Sequence, residues 1–320
     1  MTRETLERHQ VHVYLAAVSL GLLAGRVFPG GVAPWEVALW PLLGVLLYTT
    51  FTQVPLAHLR EAIAEPRFLA AAILGNFAVL PFAAWGLAAL APGDPAVRLG
   101  VLLVLLVPCT DWFITFTHLG GGETRRALAF APVSLFLQFL LLPLYLALFY
   151  GDGLGVALAR REMFLAFGGL IAAPLAAAFL TERWAEGRPG GAVLLARLGW
   201  FPVPLLAAVV FLIAATQVGL VLGSAPLLGA LALVFAAFLV LAGALARVLA
   251  GLFRLPTPQG RALAFSFGTR NSFVVLPLAL ALPASFEVTA VVVVFQSLVE
   301  LLGMAAFLWL VPRVLFPGRP

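Results

Sequence analysis

Apolar runs of about twenty residues, each closed by a short polar link, make up almost the whole chain. None of them shows the strict in-out alternation of a half-buried strand. Ten runs are read, over 11–28, 35–56, 68–91, 97–119, 126–150, 163–181, 199–222, 225–252, 262–282 and 288–315. A helix of that length crosses the hydrocarbon core of a bilayer. The pattern therefore predicts an all-α membrane protein with ten transmembrane helices.

Composition narrows the class further. Apolar residues make up 63% of the chain and charged residues 10%, which excludes a soluble α/β enzyme. The net charge of +5 would suggest nucleic acid in a soluble protein, but all nineteen basic residues are arginines and most fall between the apolar runs. With both termini on one side, fourteen of them lie in that side's links; Arg26, Arg98, Arg160 and Arg161 lie opposite, and Arg270 lies within a span. The excess predicts cytoplasmic termini, a multi-pass inner (plasma) membrane protein and no nucleic-acid partner. The single cysteine allows neither an internal disulfide nor a thiolate zinc site. The polar start "MTRETLERHQ" is followed by no small-residue cleavage site, so no removable signal peptide is expected.

The link "YGDGLGVALARRE" (150–162) divides ten spans into five and five. An odd number per half inverts the second half relative to the first, as in many secondary transporters. The chain is thus expected to be a single transmembrane domain built of two inverted five-helix repeats, residues 1–155 and 156–320. Short matches fall where that pairing requires: "TQV" at 52–54 in span two and 216–218 in span seven, and "CTDW" (109–112) in span four against "GTRN" (268–271) in span nine.

Span four contains Pro108, which removes a backbone donor, and Gly120 to Gly122, which weaken the turn that follows. Span nine carries "FGTRNS" at the equivalent place. Both spans are expected to be broken and to cross at mid-membrane, where freed backbone groups must face protein, water or a ligand. The deepest charges are Asp111, Arg270 and Glu300, each costly enough in a bilayer to imply a role. Asp111 and Arg270 form either a fixed ion pair between the crossing helices or a pair that opens with the transport cycle. Glu300 has no basic partner in its own span and shares a stripe with Gln296, which makes it the expected proton carrier.

Around the crossover, Thr110, Asn271 and Ser272 are expected to bind substrate with Cys109, Asp111 and Arg270. Gln53, Asn76, Ser134, Gln138 and Gln217 are expected to line a polar pocket, although any one of them could instead serve interhelical hydrogen bonding. Cys109 is either a small core residue or a sulfur that meets a soft ligand. Coupling is assigned to Glu300, Asp111 and Gln296. No bound metal and no cofactor is expected.

At these residues the chain resembles the arsenite-efflux permeases (arsenical resistance family three) of the bile acid:sodium symporter superfamily. The resemblance rests on Cys109 through "WFITFTHLGGG" to Glu123, "GNFAVLP" (75–81), "VSLFLQF" (133–139), "TRNSF" (269–273) and "QSLVELLG" (296–303). It implies ten helices with broken helices four and nine, and export of arsenite or antimonite in exchange for protons, with the span-four cysteine and a span-nine glutamate essential. The chain departs from that pattern: Val274 stands where the family glutamate falls, Pro108 replaces an arginine, and Asp111 and Arg270 are additional charges. Superfamily relatives that take up organic anions with sodium use a span-nine carboxylate, which is also missing, and Arg270 would repel a cation.

No HExxH, paired-aspartate motif or serine with an activating histidine is present, and the four histidines sit near span ends. A non-enzymatic carrier is therefore expected. Its partners would be a small inorganic oxyacid or organic anion, a proton or sodium as coupling ion, and the lipid bilayer.

Overall fold

The computed structural model describes residues 9–28, 33–54, 65–150, 171–223 and 225–318. The link at 150–162, Arg160, Arg161 and the first half of span six lie outside the described residues, apart from Tyr150. Among the described residues, helices joined by short links are the only extended elements. In chain order the helices are α1 (Gln10–Val27), α2 (Ala33–Phe51), α3 (Pro66–Leu90), α4 (Pro95–Leu106), α5 (Trp112–Leu119), α6 (Thr124–Tyr150) and α7 (Ala173–Ala185). They continue with α8 (Gly191–Leu198), α9 (Pro202–Thr216), α10 (Val218–Gly223), α11 (Ala225–Leu252), α12 (Thr257–Gly268), α13 (Ser272–Leu280) and α14 (Val288–Leu310).

Five helical stretches among the described residues are long and apolar enough to cross a membrane: Pro66–Leu90, Thr124–Phe149, Gly191–Thr216, Pro226–Leu252 and Ala284–Leu315. Their outer faces are as oily as their cores. Leu140, Leu144 and Leu148 form an exposed stripe on α6 at a spacing of four, and Leu233, Val240 and Val248 are exposed on α11. A soluble surface rarely tolerates apolar stripes of this length, whereas lipid favours them. The chain is a membrane protein.

Small residues decide where helices approach closely. A Cβ on Gly21 would lie 2.4 Å from the carbonyl oxygen of Phe211, and one on Gly25 would lie 2.2 Å from that of Ala215, so α1 and α9 pack backbone to backbone across a Gly-xxx-Gly face. Gly44 of α2, by contrast, has open space around its Cβ position. Gly25→Ala is therefore expected to lower stability by about 1–3 kcal/mol, since the obstacle is backbone and cannot rotate away. Gly44→Ala should raise it by about 0.5–1 kcal/mol through helix propensity. Thermal melts of the two detergent-purified variants check this; equal shifts would mean that α1 and α9 are not in contact.

The loop between α5 and α6 has the same character. Gly120 presses on the Phe265 ring, with 2.3 Å from its Cβ position to the ring edge, and Gly121 adopts φ +65°, where a side chain would be strained. Arg261 ties this loop to the chain's end by donating to the carbonyls of Gly121, Phe316 and Gly318. The three glycines thus let α12 lie against the α5 end.

Candidate functional site

Two helical interruptions meet at the centre of the molecule. α4 ends at Leu106 because Pro108 has no N–H to continue the ladder, and residues 107–111 run on without helix before α5 begins. α12 ends at Gly268, and residues 269–271 are likewise non-helical before α13. The two pieces lie antiparallel and pair as a single β-bridge, Pro108 against Arg270. Cys109 N donates to Thr269 O at 3.2 Å and Asn271 N donates to Val107 O at 2.8 Å, so the groups released by each break are satisfied by the other. Four half-helix ends therefore converge: the C-terminal ends of α4 and α12, and the N-terminal ends of α5 and α13.

The Arg270 side chain is 2% exposed and lies at the C-terminal ends. Its guanidinium donates to Phe267 O at 2.7 Å and Leu105 O at 3.3 Å, the free carbonyls of α12 and α4, and to Asn76 Oδ1 at 3.0 Å. The Phe238 ring covers it at 5.0 Å. Asn76 is placed there by a π-helical turn at Gly75–Val79 within α3, and it donates in turn to Ser266 Oγ at 3.0 Å. The expected Asp111–Arg270 ion pair is not formed: the partners of the guanidinium are neutral oxygens, and Asp111 Oδ1 instead accepts from the Cys109 thiol at 3.1 Å. Geometry explains the difference. Leaving α12, the Arg270 side chain turns back towards the carbonyl ends, while Asp111 stands at the start of α5, where a helix N-terminus favours an acid.

Glu300, also 2% exposed, reaches the crossover from α14. One carboxylate oxygen, Oε2, accepts from the Arg270 backbone N at 2.8 Å and from Gln296 Nε2 at 2.7 Å. Ser272 Oγ donates to Gln296 Oε1 at 2.7 Å, so a chain of bonds runs from α13 through Gln296 to Glu300 and back to the break in span nine. At the N-terminal ends, Asn271 Nδ2 donates to Thr110 Oγ1 at 3.4 Å, while Asn271 Oδ1 caps α13 by accepting from Val274 N at 3.3 Å.

The remaining sequence-derived positions divide. Gln53 and Asp111 together line a cavity of about 240 Å³ with Trp112, Thr115 and Pro202. Ser134 and Gln138 are buried on α6, which packs on α4, α5 and α12, and their side-chain polar atoms have no hydrogen-bond partner among the described residues; the same holds for Thr117 Oγ1. Buried polar groups without partners are costly and mark places where a bound species would be satisfied. Gln217 caps the end of α9, half-buried, and makes no side-chain bond to the crossover. Sequence reasoning missed the carbonyls of Leu105 and Phe267, Ser266 and Phe238. Of these only Ser266 carried a signal, as a hydroxyl four residues before Arg270 in an apolar run.

A helical membrane protein in which two broken helices cross over buried polar groups has the build of a carrier. Residues 40–224, more than half of the chain, match the model of the sodium bile acid symporter family, and the chain belongs to that family. Among curated proteins none matches the chain. The matched residues include Cys109, Thr110 and Asp111 but stop short of Arg270, Gln296 and Glu300.

Proposed function

We propose that the chain is a secondary active carrier of a small anion, coupled to protons, with its site at the crossover. The observation that carries this reading is the sorting of helix ends. The carbonyl ends of α4 and α12 are occupied by Arg270, which leaves the amide ends of α5 and α13 meeting at Thr110 and Asn271, where negative charge is favoured. Asp111 beside them would have to be neutralised before an anion entered, which assigns it to coupling with Glu300 and Gln296.

The packing supports two inverted five-helix repeats within ten spans. α1 lies on α9 as α2 lies on α7, and α3 on α4 as α11 on α12, which are the contacts that an exchange of halves would interconvert. Both copies of "TQV" fall where a helix stops, after Phe51 in α2 and at Thr216 in α9. Alternating access would rock one half against the other around the crossover, in an inner membrane with both termini cytoplasmic.

A second reading, export of arsenite or antimonite by proton antiport, is favoured by the contact between the Cys109 thiol and Asp111. Trivalent arsenic would displace the thiol proton on binding sulfur, and Asp111 Oδ1, which already accepts that hydrogen, is placed to receive it. Everted vesicles from cells lacking their own arsenite exporter separate the two readings, with labelled taurocholate and arsenite as cargoes at matched expression. On the anion reading, taurocholate or a smaller organic anion moves with the pH gradient and still moves in Cys109→Ser. On the arsenite reading, arsenite moves in the unmodified protein and Cys109→Ser abolishes it. Movement of neither class of cargo would remove the crossover as a carrier site.

A further inference from the structure

The acceptors around Arg270 form the kind of cage that transporters build for a free cation. Two of them, Leu105 O and Phe267 O, belong to the last turns of half-helices, whose unpaired carbonyls carry about half a negative charge per helix end. Two such ends supply roughly one unit of negative charge at a single point. The third oxygen is the side-chain carbonyl of Asn76, itself held by Ser266, and the Phe238 ring lies over the guanidinium face. Unwound carbonyls at half-helix C-termini are where secondary transporters coordinate sodium. Here one monovalent cation already sits there, attached to the chain.

We infer that the Arg270 guanidinium is a tethered cation that fills a cation site formed by the C-terminal carbonyls of α4 and α12 and the Asn76 amide, so that the protein needs no sodium to hold its crossover together. This deepens the reading of the chain as a carrier: it assigns the sodium-dependent part of the family's build to a residue of this chain. The backbone contributes as well. Glu300 fixes the Arg270 N–H at 2.8 Å, and the bridge to Pro108 fixes the direction in which the side chain leaves, so the guanidinium is delivered to the carbonyls rather than to the cavity at Asp111. A sodium ion would have to displace a charge of equal sign that is donating to three oxygens.

The test is thermal unfolding of the full-length, detergent-purified protein in sodium, lithium, potassium or choline chloride at one ionic strength. The readout is independent of transport, so a protein that moves no tested cargo can still pass or fail it. The unmodified protein is expected to melt at the same temperature in sodium and in choline, and Arg270→Lys, which keeps a cation at the end of a side chain of similar reach, is expected to do likewise. Arg270→Ala exposes the oxygen cage and should become sodium-sensitive, melting about 3 °C or more higher in sodium than in choline. Where Arg270→Ala does not survive purification in choline, adding sodium or millimolar methylguanidinium throughout should recover monodisperse protein. Specific stabilisation of the unmodified protein by sodium would overturn the inference. So would an Arg270→Ala variant that is indifferent to every cation including methylguanidinium, or one that none of them recovers.

Discussion

Glu300→Leu will cost the protein about 3–5 kcal/mol and Glu300→Gln much less, although only the glutamine variant keeps the site's shape without its charge. Leucine removes the acceptor of both the Arg270 N–H and Gln296 Nε2, and both residues are buried. Each orphaned donor costs about 1–3 kcal/mol. Glutamine can place its single carbonyl oxygen where Oε2 now sits, since one oxygen accepts both bonds. Glu300→Gln should therefore purify as a monodisperse protein with a melting temperature within a few degrees of the unmodified chain, and yet lose the response of transport to a pH gradient. Glu300→Leu should purify poorly or melt far lower. Equal damage from both would mean that the charge, and not the two hydrogen bonds, holds α14 to the crossover.

The membrane class, the helical architecture and the places where two helices stop could all be read from residue order. Pro108 ends α4 where Pro41, Pro132, Pro143 and Pro277 leave their helices unbroken, because the chain around Pro108 has the other break to pair with, and "FGTRN" ends α12 through a glycine and a polar cluster that gain more from side-chain and cross-chain bonds than from another helical turn. The residues that permit the breaks are local and legible, while the pairing that satisfies them is not. What could not be read was the direction of the long side chains. Arg270 and Asp111 stand at matching positions of two crossing helices, and opposite charge in an apolar medium makes pairing the natural expectation. The structure offers Arg270 a better set of partners in backbone carbonyls, which no sequence displays because every residue has one.

The same limit applies to Asn76 and Glu300. "GNFAVLP" showed an amide in span three, but the π-helical turn that aims it at Arg270 depends on how α3 meets the Phe267 ring, which fills the space where a side chain on Gly75 would lie. Glu300 has no basic partner in its own span; Gln296 on its stripe was legible as a neighbour, but the second donor is a backbone N–H thirty residues away. Family membership adds little here, because the matched residues end before span nine begins.

Two double-mutant cycles will separate the pairing the sequence suggests from the one the structure shows. Arg270 and Glu300 meet at the same break: the carboxylate holds the backbone of the residue whose side chain carries the opposite charge. Neutralising Glu300 alone leaves the guanidinium on its carbonyls, whereas neutralising Arg270 alone leaves a buried carboxylate uncompensated, a cost that vanishes when both are neutral. Arg270→Gln with Glu300→Gln is therefore expected to be less damaging than the sum of the singles, with a coupling of about 0.5–3 kcal/mol, the range for residues in one buried network. Asp111 faces a cavity with Gln53 and is bonded to Cys109, not to the guanidinium. Its cycle with Arg270, through Asp111→Asn, should be additive to within about 0.5 kcal/mol. Melting temperatures of the five variants in one detergent, converted with a common unfolding entropy, give both couplings. A larger coupling for Asp111 than for Glu300 would place the ion pair back at the crossover and remove Glu300 as the counter-charge of Arg270.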